Sequence, residues 1–309
     1  MFMTVLLSLI LPVLAGAGIL ALCWLLPPLR KWNALAHTAF GLALAAGVVA
    51  SFAAEVGLPY FPPAQRAHWV GVVGVVAAGI AIVLAFLGDP ERQRSWPMYE
   101  MVSVLVGALV ATLPWIAAAI DERPVDKFMF SDTTIADQVA IGVGITLGLL
   151  LFDRIVANRH GVTMPLVFTI IFGGLAVLAQ EAGWISLTFL SATASGVSFC
   201  GAFISRFAGH PSIGRGGLVV ALILLTIFPV AGHRQNYADF PWWCWALVLG
   251  SPLVLLFLEN PLVEKFPPWL QTTIRVVLVA IPVLIGVAVA LGAASPDDAG
   301  MGGYGDYGS

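Results

Sequence analysis

Charge is what this 309-residue chain has least of: 10% of its residues are Asp, Glu, Lys or Arg, against 60% hydrophobic. Soluble domains carry about 25% charged residues. A chain this poor in charge cannot hide its apolar surface from water, so its solvent is largely lipid. The same scarcity excludes nucleic-acid partners. Fourteen Lys and Arg residues against seventeen Asp and Glu give a net charge of −3 and leave no basic stripe to face phosphates.

Cysteine and histidine are also scarce. Cys23, Cys200 and Cys244 each lie in or beside an apolar run, with no C-x-x-C spacing. They read as small buried hydrophobes, not as a disulfide or metal framework. The histidines are His37, His68, His160, His210 and His233, and no two share a helix face at i, i+3 or i, i+4. That excludes H-E-x-x-H zinc and di-iron arrangements. Only His37 comes near a span, which leaves no bis-histidine haem site, and its single imidazole reads as a hydrogen-bonded structural group. Ala194-Ser195-Gly196 lacks the flanks of a nucleophile elbow. Gly214-Arg215-Gly216-Gly217 is too short for a phosphate loop and lacks its Lys-Ser/Thr. No cofactor and no metal are expected.

What is present is long apolar runs. They predict an all-α bundle of ten transmembrane helices, over residues 4–26, 34–57, 69–88, 100–120, 135–157, 163–182, 184–206, 216–232, 241–258 and 268–292. The first run lacks the basic start of a signal peptide and is long enough to span, so it reads as a retained helix. The division between 163–182 and 184–206 is the least obvious, because little separates the two runs. Proline and tryptophan mark span ends at Pro27-Pro28, Pro62-Pro63, Trp96-Pro97, Pro241-Trp242-Trp243 and Pro267-Pro268-Trp269. Pro114, Pro229, Pro252 and Pro282 fall inside spans, where they should kink or break the helix.

Ten spans place nine cations (Arg30, Lys31, Arg92, Arg94, Arg154, Arg159, Arg206, Arg215, Lys265) on one side and four (Arg66, Arg123, Lys127, Arg234) on the other. The richer side is expected to be cytoplasmic. Both termini then face the non-cytoplasmic side, with a bacterial inner membrane as the expected setting. The helix ending Gly144–His160 would leave the bilayer at Asp153–Arg154 and enter a short basic link between two halves. Residues 1–295 form one membrane domain, and 296–309 read as a flexible, Gly-rich acidic tail.

A parallel four-plus-four repeat, with halves 33–160 and 161–266, is a further expectation. Residues 46–57 align without gaps to 172–183 with five identities in twelve, including Glu55 opposite Glu181. FLGDP at 86–90 echoes FAGHP at 207–211, and LGLLLFD at 147–153 echoes LVLLFLE at 253–259, which sets Asp153 opposite Glu259. Against this stands the abundance of Ala, Gly and Leu, which makes such alignments easy.

Charges inside a bilayer mark function or structural pairing. Glu55 and Glu181 fall near the outer ends of their spans, either lining a polar path or resting at the water boundary. Arg275 lies six residues past Trp269, roughly 9 Å along a helix, the deepest cation. It either snorkels to the headgroups, pairs with an acid such as Asp153 or Glu259, or receives an anionic group. The helix 188–205, with Thr188, Ser191, Thr193, Ser195, Ser198 and Ser205, fits either close packing or a narrow wet path.

The leading functional expectation is a transporter or permease-like protein for a small or lipid-like substrate. The first alternative is a non-catalytic scaffold subunit of a larger membrane complex. The second is a lipid-processing enzyme, disfavoured because its acid, base and cationic candidates are scattered. Expected partners are membrane lipids, with further copies of this chain or other membrane subunits.

Overall fold

The computed structural model describes residues 2–26, 29, 33–59, 61–63, 68–86, 96–122, 125, 134–158, 161–208, 213–234, 236–259, 263 and 265–293. The tail 296–309, the basic link at Arg159-His160, most of the 121–134 loop and the loop cations Arg30, Lys31, Arg66, Arg92, Arg94, Arg123 and Lys127 lie outside these residues.

The described residues form helices and no strands. α1 consists of Phe2–Val5, a π-helical stretch Leu6–Ile10, and Leu11–Leu25. Then follow α2 (Asn33–Glu55), α3 (Trp69–Phe86), α4 (Trp96–Asp121), α5 (Ile135–Asn158), α6 (Thr163–Glu181), α7 (Ile185–Phe207) and α8 (Gly214–Arg234). α9 is broken into Trp243–Gly250, a 3₁₀ turn at Ser251–Leu253 and Val254–Phe257, and α10 runs Pro268–Ala293. Among the described residues, eight of these are long and apolar enough to cross a membrane, while α3 and α9 are shorter apolar helices. The protein is a multi-pass membrane helix bundle.

The doubtful α6–α7 division is real. α6 closes in a Schellman motif, with Trp184 N–H donating to the Ala179 carbonyl and Gly183 N–H to that of Gln180. Gly183 takes φ +81°, the left-handed conformation this cap requires. The chain reverses within three residues, and α6 and α7 then pack along each other.

Proline acts more variably than expected. Pro114, Pro229 and Pro282 sit inside continuous helices, and only Pro252 coincides with a break. Pro12 accounts for a local anomaly in α1. It has no N–H, so the Ser8 carbonyl loses its helical donor. Leu11 N–H reaches back to the Leu6 carbonyl in π fashion. Buried Ser51 of α2 and Thr193 of α7 donate their hydroxyls to the freed Ser8 oxygen at 2.5 and 3.4 Å. A broken backbone bond in one helix thus joins three.

α8 is the centre of the bundle. Its best membrane window is 89% buried, against 22% for those of α1 and α10. It packs on α2, α3, α5 and α9. Lipid is as apolar as leucine, so hydrophobicity does not decide which helix goes inside; close fit of small residues does. A Cβ on Gly41 would stand 2.6 Å from the Gly216 carbonyl oxygen, and one on Gly217 would stand 3.1 Å from the Phe40 ring. The α2–α8 contact therefore depends on glycine on both sides. On α3, Gly71 lies against the Phe52 ring and Gly74 against Val49, whereas Gly79 faces open space. The packing is unequal in the two sequence halves. α8 packs along both α2 and α3, whereas its counterpart under a four-span shift, α4, packs chiefly along α5.

Candidate functional site

α5 stands between α4 and the core helix α8. On one side it meets α4 closely: Thr146 Oγ1 donates to the Gly142 carbonyl at 2.9 Å and lies 3.3 Å from that of Ser103. A Cβ on Gly142 would stand 2.9 Å from both the Ala111 Cβ and the Gly107 carbonyl oxygen. On its other side α5 meets α8.

Each end of the α5–α8 contact carries an ion pair. Asp153 accepts from Arg215 Nε at 2.7 Å and from Nη2 at 3.0 Å, a bidentate pair with both side chains largely covered. At the opposite end Arg234 Nη2 donates to Asp137 Oδ2 at 2.5 Å. Asp137 is held by its own helix start as well. Its Oδ2 accepts from Thr134 N–H at 2.7 Å, while Asp137 N–H donates to Thr134 Oγ1 at 3.3 Å. This reciprocal arrangement is a capping box.

Between the two ion pairs, α5, α8 and α9 do not close on one another. They leave a half-enclosed groove of about 460 Å³. Its α5 wall is the small-residue stripe Ala140, Gly144 and Gly148, its floor is Leu222, Thr226 and Val230 of α8, and its far wall is Ala246, Leu249 and Gly250 of α9. Asp137 lies at one end and Phe152 near the other. The fifteen residue steps from Asp137 to Phe152 span about 22 Å at 1.5 Å per residue. Leu147, Leu151 and Leu253 also line it and are well exposed, so its mouth opens sideways from the bundle.

The glycines here differ from those in the core. A Cβ on Gly250 would meet nothing within 4 Å, and one on Gly144 only Thr226 Cγ2 at 3.9 Å. Helix packing does not require glycine at either position, yet glycine costs a helix about 1 kcal/mol relative to alanine. The groove stays open because side chains are missing where there is room for them. A second cleft, between α1 and the α6–α7 pair, holds about 430 Å³ but is shallower, and Val13 fills the space above Gly196.

No family model matches the chain, and no characterised protein or solved structure does either. Its chemistry has to be read from its own side chains.

The carboxylates singled out from sequence are dispersed. Glu55 and Glu181 are half-buried at the C-terminal ends of α2 and α6. Neither makes a hydrogen bond or ion pair among the described residues, and neither lines the groove. Asp153 is engaged by Arg215 and not by Arg275. Glu259 is exposed beyond the end of α9. Arg275 is 3% exposed, and its Nη1 donates to Gln271 Oε1 at 3.2 Å on the same helix. Nearby, the Thr163 and Thr272 hydroxyls join α6 to α10 at 2.9 Å.

Most hydroxyls of α7 donate to backbone carbonyls. Ser195 donates to the Thr169 carbonyl of α6 at 2.8 Å, and Thr188, Ser198 and Ser205 donate to carbonyls of their own helix or its cap. Ser191 Oγ is buried without a partner among the described residues. Sequence reasoning missed Asp137, Arg234, Gly144 and Gly250. The available signal was T-x-x-D at 134–137, a capping signature directly before an apolar run.

Proposed function

We propose that the protein is a permease-like carrier of a lipid-like substrate, with the α5–α8–α9 groove as the binding surface. The observation behind this reading is the groove itself. It is almost wholly apolar, long in the direction of the helices and open to the side. It has the size of a small-molecule site, typically about 300–1,000 Å³. A polar solute would find few partners there, since Asp137 and Thr226 are the only polar lining residues among the described residues and Thr226 Oγ1 already donates to the Leu222 carbonyl. An acyl or other hydrocarbon chain would lose nothing by leaving the bilayer for it.

Motion of the α4–α5 pair offers a route. Among the described residues α4 packs chiefly on α5, so the hairpin can shift as a unit against α8 while the α2–α8 core stays closed.

The test is movement of a fluorescent phospholipid between leaflets of proteoliposomes. Wild-type protein should move it, and the groove-filling variants Gly144→Leu and Gly250→Leu should abolish movement while folding normally. Unchanged movement in folded Gly144→Leu and Gly250→Leu protein sinks the groove assignment. No movement by wild-type protein, with recovery of a fixed-stoichiometry assembly on gentle extraction, makes a non-catalytic subunit the better reading.

A further inference from the structure

The Asp137–Arg234 pair closes one end of the groove without using up its own chemistry. Asp137 Oδ2 accepts from Arg234 Nη2, Thr134 N–H and Thr134 Oγ1, whereas Oδ1 has no partner among the described residues. Arg234 donates through Nη2, and no described residue accepts from its Nε or Nη1. Both side chains are about one-third exposed, at 31% and 32%. Asp137 lines the groove, and Val230, one helical turn before Arg234, lines it too. The groove therefore ends beside a neutral pair with one carboxylate oxygen and two guanidinium nitrogens that no described residue engages.

A ligand for that mouth needs a hydrocarbon tail, an anionic group with lone pairs for Arg234 and an N–H cation for Asp137. From these we infer that the groove holds one chain of a primary-amine phospholipid. Its phosphodiester oxygens accept from Arg234 Nε and Nη1, and its ammonium donates to Asp137 Oδ1. This rests on the lipid-carrier reading above and adds the headgroup class. The groove's length suits one leaflet. About 22 Å along α5 exceeds the roughly 15 Å of half a hydrocarbon core, so a chain anchored at the mouth lies lengthwise inside it. An anionic phospholipid without an amine could offer Asp137 only neutral hydroxyl donors and would leave the site one negative charge in excess. A choline headgroup carries no N–H for Oδ1. The ammonium–Asp137 bond should separate the amine lipid from either competitor by about tenfold.

The experiment is native mass spectrometry of the full chain. The protein is purified in mild detergent and exposed to equal amounts of phosphatidylethanolamine, phosphatidylcholine and phosphatidylglycerol with identical chains. Wild-type protein is expected to retain phosphatidylethanolamine about tenfold over the other two. Arg234→Gln should lower retention of all three lipids, because it removes the donor to the phosphodiester they share. Asp137→Asn, which keeps an acceptor for the Thr134 cap, should turn the preference toward phosphatidylglycerol, because Arg234 then stands without its counter-charge. Circular dichroism melts confirm that both variants fold. Equal retention of the three lipids by wild-type protein, or an unchanged preference in Asp137→Asn, overturns the headgroup assignment. The groove is tested separately. Gly250→Leu should lose all three lipids, and if it binds them as wild type does, the carrier reading fails along with the headgroup.

Discussion

Asp153 on α5 and Arg215 on α8 form a two-point pair at 2.7 and 3.0 Å, at the opposite end of the same helix contact from Asp137 and Arg234. Between the pairs, α5 and α8 leave room for a groove. The charges hold the ends of a contact whose middle is not filled.

Breaking that pair should loosen the α4–α5 hairpin. Arg215→Met leaves the largely covered Asp153 carboxylate without this cation, and Asp153→Asn removes the charge that Arg215 faces, each at a cost of about 1–3 kcal/mol. The double variant Asp153→Asn/Arg215→Met should be less destabilised than the sum of the single changes. Reversible unfolding in detergent measures this, and strictly additive losses would mean the pair contributes nothing as a pair.

The Ser8 carbonyl offers a sharper cycle. Ser51→Ala removes the closer hydroxyl donor and should cost about 1 kcal/mol. In a Pro12→Ala background the residue-12 N–H returns to bond the Ser8 carbonyl. Ser51→Ala should then cost clearly less. An equal cost in both backgrounds would show that the Ser51 contact has no link to the missing proline N–H.

Glycines should sort by the space around them. Gly41→Ala drives a Cβ into the α8 backbone and should cost about 1–3 kcal/mol by overpacking. Gly79→Ala and Gly18→Ala, where a Cβ meets nothing within 4 Å, should be neutral or slightly stabilising. Denaturation midpoints of the three variants check this, and a harmless Gly41→Ala would contradict the α2–α8 fit.

Gly183→Ala tests the α6–α7 reversal. An alanine at φ +81° should cost about 1–2 kcal/mol. The loss should appear as lower thermal stability with unchanged helix content, read by circular dichroism.

Glu55→Gln and Glu181→Gln are expected to change stability by less than about 0.5 kcal/mol, since neither acid has a partner among the described residues. They should also leave lipid retention as it is. A loss of lipid movement with either variant would return attention to the outer ends of α2 and α6.

The sequence by itself determined the solvent and the class of fold. Apolar runs of bilayer length, separated by polar breaks, have one physical solution in lipid, because every backbone N–H and carbonyl must be satisfied within the segment. That constraint is local, so the helices from Leu11 to Ala293, even the pair divided only at Gly183, were legible as runs. The partners of those helices were not. Hydrophobicity does not sort helices inside a hydrocarbon solvent, so nothing in the composition of α8 marked it as central. Its position follows from the meeting of Gly41 with Gly216 across two helices far apart in the chain. The same holds for the site. Asp137 and Arg234 are 97 residues apart, and Asp153 and Arg215 are 62 apart. Each is an ordinary helix-end charge until packing sets it against the other. The groove is a deeper case still, since it is made of side chains that glycine lacks. Gly250 facing open space and Gly41 facing backbone are identical letters in the sequence, and only the neighbours brought by tertiary packing make one a void and the other a contact.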